Sequence, residues 1–566
     1  MPKNYLYSLR RLALAGVIGL IGAALLLWVV GAQLTQPSGA ALWLLTGGLI
    51  GVAYSALFTH NQADHTADLL RGLVVGLVTW SAWTLNLLPT LLGNGPMWQA
   101  EAVAHTVPQL IGCLLVGGWS GLIYSLLFAR LAALLGLEAP VLPPTALKTR
   151  MVVLGGGYAG VATAQSLEEE FANDPSVGIW LVSETNFLLH TPMLSEVAGS
   201  AVDAQNISPP LRAFFHKVQV VQGAVAQIDL TTHTIRLAGD KRSGERVLPF
   251  DHLALTMGGI PNFFGNQSLE QRSFTLKSLE DAIRLRNQII DMFERADSEP
   301  NQAKRQRMLT FVVAGGGFAG VELIGSLNDF ARGILAYYRN VEPAEVRLVL
   351  VHSGETILPE LKPELGQYAQ EKLSERGVEF MLKTRCTGAT EEGVELGDLM
   401  LPTETFIWTA GNRPAPVLET LGLPLNKRGQ LPVDATLAVK GTPSLWAAGD
   451  CAEIPDPHSK TGFAPPTAQH ALREGKLLGH NMAAALRGKT GQPFSFKTLG
   501  SLSALGHQLA VAEVFGYRFS GFLAWVMWRS IYISKLPNME KRVRVGLNWL
   551  IDLFFPPDIV QTQRER

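Results

Sequence analysis

Apolar residues follow two different patterns along the chain, and the change of pattern divides it. Up to about residue 136 the apolar runs are long, at 12–33, 41–59, 72–93 and 107–135. A helix needs ~20 apolar residues to cross ~30 Å of hydrocarbon. The pattern therefore predicts a four-helix transmembrane domain over 1–136; a cleavable leader would account for one run, not four. A Pro-rich linker follows at 137–149. Beyond it the apolar runs shorten to strand length and alternate with helical stretches, the pattern of an α/β protein.

The N-terminal part also repeats itself. "GGLIGVAYSALF" at 47–58 and "GGWSGLIYSLLF" at 117–128 share one skeleton, which reads as a duplicated two-helix unit. Gly47 and Gly51, Gly72 and Gly76, and Gly117 and Gly121 are small residues four apart, a spacing that lets helices approach closely in lipid. Lys3, Arg10 and Arg11 precede the first run, Arg130, Lys148 and Arg150 flank the end of the fourth, and between Arg11 and Arg130 the only Lys or Arg is Arg71. The positive-inside rule then places both ends, and the rest of the chain, on the cytoplasmic side of a bacterial-type inner membrane. The four runs contain no Asp, Glu, Lys or His, which argues against proton or ion transport. His60, Asp64, His65 and Asp68 read as a solvated loop, and no metal is expected.

Composition adds to this picture. Hydrophobic residues make up 47% of the 566 and the mean hydropathy is +0.18, high for a purely soluble enzyme. A net charge of −1 gives no field for nucleic acid. The three cysteines, Cys113, Cys386 and Cys451, have no metal-ligand spacing and form no disulfide framework.

The chemistry begins at "RMVVLGGGYAGVATAQSL" (150–167), a strand, a Gly-rich turn and a helix. Gly155, Gly157 and Gly160 fill the GxGxxG positions: a tight turn, close approach of a pyrophosphate, and helix–strand packing. The helix N-terminus offers free N–H groups to phosphate. Glu184, 24 residues past Gly160 at the end of the next strand, suits a ribose-binding acid. "RMLTFVVAGGGFAGVELIGSL" (307–327) repeats the plan with Gly315, Gly317 and Gly320. Two such units predict two dinucleotides, a held flavin and an exchangeable nicotinamide.

"SLWAAGDCAEIP" (444–455) resembles the second flavin signature of two-dinucleotide-binding flavoproteins, which implies that Gly449 and Asp450 meet the flavin ribityl chain. "HLALTMGG" (252–259), with Thr256 and Gly258, and "TFIWTAGNRPAP" (405–416), with Gly411, match the two crossings between their domains. The implied fold class is α/β, with two Rossmann-like domains of the glutathione-reductase type. FAD-binding segments are expected at 150–258 and 411–495 and an NAD(P)H-binding domain at 259–410. A C-terminal membrane-associating region of amphipathic helices is expected at 496–566.

No cysteine lies between Cys113 and Cys386, which excludes dithiol reductases and argues against sulfide:quinone chemistry. What remains resembles the type II NADH:quinone oxidoreductases, single-subunit and non-pumping. The resemblance is carried by "NFLLHTPMLSEVAGS" (186–200) with Pro192, by Glu322 in "GGGFAGVELIGSL" (315–327), and by Ala468 and Gln469 in "PTAQHALREG" (466–475). It implies FAD and NADH as cofactors, Glu322 near the nicotinamide, and Gln469 at flavin and quinone. The expected partners are a membrane quinone, the bilayer and a second copy of the chain.

The sequence departs from that family in four places. Arg473 replaces a second Gln at the quinone site. Ser183 stands at a flavin-ribose acid, with Glu184 as substitute. His352 replaces the acid that selects NADH, which leaves NADPH open. The N-terminal helices are additional to the family's usual architecture. Two alternatives stay open: a sulfide:quinone or other-acceptor flavoprotein oxidoreductase, and a flavin-based membrane redox sensor.

Overall fold

The computed structural model describes residues 3–30, 37–57, 65–91, 93, 95–134, 147–239 and 244–561, which form two compact units, 1–141 and 142–566. The Pro-rich linker at 137–149 falls largely outside the described residues, as do His60 and Asp64.

The N-terminal unit is helical. Helices α1 (Lys3–Val30) and α2 (Pro37–Leu57) form one pair. Helix α3 (His65–Thr79), continued by a π-helical stretch Trp80–Leu87, forms another with α4 (Val107–Leu134). The small residues set both crossings: a Cβ on Gly51 would lie 2.0 Å from the Ala15 carbonyl oxygen, and one on Gly72 would lie 2.1 Å from that of Gly117. Equivalent tyrosines of the repeat, Tyr54 and Tyr124, meet edge to face at 5.7 Å.

Two expectations change here. Among the described residues two helices, Asp68–Leu91 and Val107–Tyr124, are long and apolar enough to cross a membrane, not four; Leu12–Leu26 and Trp43–Leu57 are shorter apolar helices. Asp68 is not on a solvated loop: it is buried in α3 and ion-paired with Arg71 one turn on, at 2.8 Å. No group of three or more metal-ligating side chains is present among the described residues.

The second unit holds two parallel sheets built on one plan. In the first, β1 (Thr149–Leu154), β2 (Val177–Ser183), β3 (Gln219–Gln222), β4 (His252–Leu255) and a late strand Leu445–Ala447 run in the order 445–447, β4, β1, β2, β3. Helix α5 (Tyr158–Glu170) follows β1. In the second, β5 (Thr310–Ala314), β6 (Arg347–Val351), β7 (Val378–Met381) and β8 (Thr405–Trp408) run in the order β7, β6, β5, β8, and helix α6 (Phe318–Gly333) follows β5. All neighbours pair parallel. β1 and β5 are buried through most or all of their length, as strands covered on both faces must be. The chain crosses between the sheets at 259–261 and 412–414, which pair antiparallel.

Helix α7 (Ala468–Leu486) packs on α5. A three-stranded antiparallel sheet follows at 500–506, 509–514 and 517–520, then helices α8 (Gly521–Lys535) and α9 (Met539–Asp552). The region 496–566, expected as amphipathic helices, thus begins with a sheet and turns helical only from Gly521. The two C-terminal helices turn Trp528 and Trp549 inward and leave Phe522, Leu523, Val543 and Leu547 exposed.

Candidate flavin and nicotinamide site

The two glycine turns have nearly the same geometry. Gly155 has φ +109° and Gly315 φ +122°, backbone that a side chain strongly disfavours. A Cβ on Gly160 would sit 1.8 Å from the Gly155 carbonyl oxygen, and one on Gly320 1.9 Å from that of Gly315. A Cβ on Gly157 would meet nothing within 4 Å, and one on Gly317 only Glu360 Oε1 at 3.2 Å. Each second glycine stands at a helix N-terminus, the cradle that a pyrophosphate fits; Gly157 faces open space, and Gly317 faces the Glu360 carboxylate. Thr256 Oγ1 donates to the Leu154 carbonyl at 2.7 Å and Thr409 Oγ1 to that of Ala314 at 2.8 Å. These hydroxyls lock each turn to the neighbouring strand.

The ends of β2 and β6 correspond as well. Ser183 lies against Gly156 as His352 lies against Gly316, whose N–H donates to His352 Nδ1 at 3.1 Å. Glu184 is one residue further and exposed. Neither turn has a carboxylate packed on it from the strand end.

Opposite the first turn, Gly449 (φ +76°) and Asp450 border a cleft lined by Ala464, Pro465, Pro466 and Thr467. Asn412 Nδ2 donates to Asp450 Oδ2 at 2.8 Å, while Asn412 Oδ1 is buried without a partner. The Gly449 N–H donates to Glu474 Oε2 at 2.8 Å; burial pushes the Glu474 carboxyl up to about 8. Burial lowers Lys277, which the nearby Asp450 opposes. Gly258 (φ +66°) and Gly411 (φ +91°) stand at the two crossings. The spare acceptor, the cation and the open turn form a polar donor–acceptor set that suits a flavin dinucleotide.

Thr467 caps α7, so Ala468 and Gln469 form its first turn. Gln469 Nε2 donates to the Gly500 carbonyl at 2.9 Å. Arg473 Nη1 donates to the Gln469 carbonyl at 2.9 Å, and its guanidinium lies 3.9 Å from the Phe496 ring centroid. Pro192 sits in a short 3-10 turn, 191–193, directly after His190. Cys451 is a small buried residue whose thiol donates to the Leu255 carbonyl at 3.3 Å.

Glu322 is buried on α6, where its Oε1 accepts from the Ala504 N–H at 3.2 Å and from Trp528 Nε1 at 3.3 Å. Glu196 is buried nearby and accepts from Trp549 Nε1 at 3.1 Å. Arg529 lies over the Trp525 and Trp549 rings at 4.1 and 4.6 Å. Of these residues the sequence reading named Glu322 and Asp450; it did not name Glu196, Trp528 and Trp549, which group with Glu322, or Lys277, Asn412 and Glu474, which group around Gly449 and Asp450.

Burial pushes Glu322 up to about 8 and Glu196 up to about 7. The folded state then holds these protons more tightly than the unfolded chain. Stability present below the ordinary carboxyl range is lost as pH rises through those two values. Glu322→Gln is expected to remove its share of that loss. The melting temperature of the variant should fall less than that of the parent between about pH 5 and about pH 9.

Two family models match the chain: "Pyridine nucleotide-disulphide oxidoreductase" over residues 149–475 and "NDH2 C-terminal domain" over 498–557. Type II NADH:quinone oxidoreductase NdhA of Mycobacterium tuberculosis is 28% identical over 71% of this chain and 86% of its own length. Demethylphylloquinone reductase NdbB of Synechocystis is 31% identical over 71% of this chain and 96% of its own. The structure of NDH2 from Plasmodium falciparum in complex with NADH superposes with a TM-score of 0.66 at 17% identity, covering 73% of this chain and all of that one, which shows the shared fold.

Proposed function

This chain belongs to the family of type II NADH:quinone oxidoreductases, and from that premise we propose that it passes a hydride from NADH to FAD and two electrons on to a membrane quinone, without pumping protons. When bound, FAD supplies this redox chemistry, and the protein supplies position and electrostatics. The observation that carries the reading is the pair of matching glycine turns, one facing the Asp450 cleft and the other on the helix that carries Glu322.

In this reading the turn at 155–160 holds the flavin pyrophosphate and Asp450 the ribityl chain. The turn at 315–320 holds NADH, and Glu322 orients the nicotinamide. His352 stands where an acid would select NADH, which leaves NADPH open beside NADH. Gln469 and Arg473 border the quinone. The purified protein should oxidise NADH when ubiquinone or menaquinone analogues are supplied. NADH oxidation that no quinone accelerates would contradict the reading.

The membrane reading has two supports. Two of the N-terminal helices are long and apolar enough to cross a membrane, and Lys3, Arg10, Arg11, Arg130, Lys148 and Arg150 favour a cytoplasmic position for both ends of that segment. The C-terminal helices face the bilayer through Phe522, Leu523, Val543 and Leu547, and Phe554 and Phe555 beyond them are 74% and 65% exposed. Replacing both Phe554 and Phe555 with Asp is expected to lower reduction of a long-chain quinone in vesicles relative to a short-chain soluble one by about tenfold. An unchanged ratio would remove these residues from the membrane face.

A further inference from the structure

His190 is 3% exposed. Its backbone N–H donates to the Ile207 carbonyl at 2.9 Å, and its Nδ1 lies 2.7 Å from the Tyr158 hydroxyl. Its Nε2 is buried with no partner. Leaving a buried polar group unsatisfied is costly, and such exceptions call for an explanation such as a functional role.

The surroundings fix which nitrogen carries the proton. Burial, with Lys535 nearby, pushes His190 down to about 4, so the ring is neutral at neutral pH and has one N–H. The Tyr158 hydroxyl also meets the Thr191 side chain. A phenol is a better donor than a neutral imidazole, so Tyr158 donates to Nδ1 and the ring proton sits on Nε2.

Position narrows the partner. Tyr158 is the first residue of α5, at the flavin turn; the second turn has Phe318 at the same place, with no hydroxyl. On its other side His190 meets Tyr532 of α8 edge to face, with centroids 6.2 Å apart. Lys535 at the end of α8 also faces His190, and Lys535 in turn feels Arg473 of α7. The same α8 exposes Phe522, Leu523 and Val526. His190 thus stands between the flavin turn and the helix with the apolar exposed residues, where a hydrophobic acceptor arriving from lipid would meet the flavin.

We propose that the Nε2–H of His190 is the hydrogen-bond donor to a carbonyl oxygen of the quinone, and that Tyr158 is a positioning residue that fixes the ring and its tautomer. This rests on the quinone reading above. A site with a buried donor favours an acceptor that satisfies it and rejects one that cannot.

The test uses the full-length, flavin-loaded protein and a short-chain ubiquinone analogue. Titrated without NADH, His190→Phe is expected to weaken binding of the analogue about tenfold, the worth of one hydrogen bond to a buried donor. His190→Gln, which keeps an N–H, should recover part of that loss. Tyr158→Phe should weaken binding several-fold with His190 still present. In single turnovers, His190→Phe should slow reoxidation by quinone about tenfold more than it slows bleaching by NADH. Unchanged affinity in His190→Phe with flavin bound would overturn the proposal. A shifted flavin potential with unchanged quinone affinity would also overturn it, by giving the donor to the cofactor. If the parent protein itself neither binds nor is reoxidised by quinone, the quinone reading falls first and this proposal with it.

Discussion

Gly155→Ala is expected to give a protein that retains almost no flavin and unfolds at a markedly lower denaturant concentration. Gly155 sits at φ +109°, and a Cβ there would lie 2.2 Å from the Thr256 carbonyl oxygen, 2.7 Å from its carbonyl carbon and 3.0 Å from Met257 Cα. All three atoms are backbone. They cannot swing aside, because the Thr256 hydroxyl is bonded to the Leu154 carbonyl and the Thr256 N–H to the same oxygen. The left-handed conformation costs ~1–2 kcal/mol, and overpacking adds ~1–3 kcal/mol. Relaxation would pull the turn away from β4 and deform the cradle in front of Gly157. Gly258→Ala is the control: φ there is +66°, but a Cβ would meet nothing within 4 Å, so the cost stays near ~1 kcal/mol. Flavin-to-protein absorbance and a urea titration of both variants check this. Full flavin content in Gly155→Ala would refute the role given to that turn.

Trp528→Ala is expected to destabilise the C-terminal half by ~3–5 kcal/mol, the range for truncating a large buried aromatic. Trp528 is completely buried, and its ring lies 4.6 Å from that of Tyr532 and 6.3 Å from that of Trp549, centroid to centroid. Its Nε1 also serves Glu322. Trp528→Phe separates the two contributions: it keeps much of the packing and loses the hydrogen bond, a cost of ~1 kcal/mol. Loss of that donor should raise the Glu322 carboxyl further, since the Trp528 bond opposes the effect of burial. The pH-dependent loss of stability should then extend to higher pH than in the parent protein. Denaturant titrations at several pH values read both effects. Equal losses in the two variants would mean that the hydrogen bond, not the ring, holds the helix.

The glycine turns were legible in the sequence because backbone sterics allow little else at Gly155, Gly160, Gly315 and Gly320. Thr256, Gly258 and Gly411 were legible through the resemblance of 252–259 and 405–416 to the domain crossings of two-dinucleotide-binding flavoproteins. The buried acids were only half legible. Glu322 follows its turn closely, but its donor Trp528 is 206 residues away, and Glu196 and Trp549 are 353 apart. Such pairs exist only through tertiary packing. Asp68 looked solvated beside Asp64 and His65, yet Arg71 one turn later neutralises it inside the helix pair. The C-terminal sheet was hidden because Ala510, Val511 and Ala512 of its middle strand are all buried, which erases the alternation that announces a strand. Ser183 and His352 show the reverse case: the missing acids were legible, and the structure puts these two residues at equivalent places against the two turns.

The most direct measurement is an anaerobic single-turnover experiment on the purified, flavin-loaded protein, mixed first with NADH or NADPH and then with a ubiquinone or menaquinone analogue. The account predicts rapid bleaching of the flavin by the nucleotide and rapid, complete recovery on adding quinone. A flavin that neither nucleotide bleaches, or that bleaches but does not recover with quinone, would contradict it.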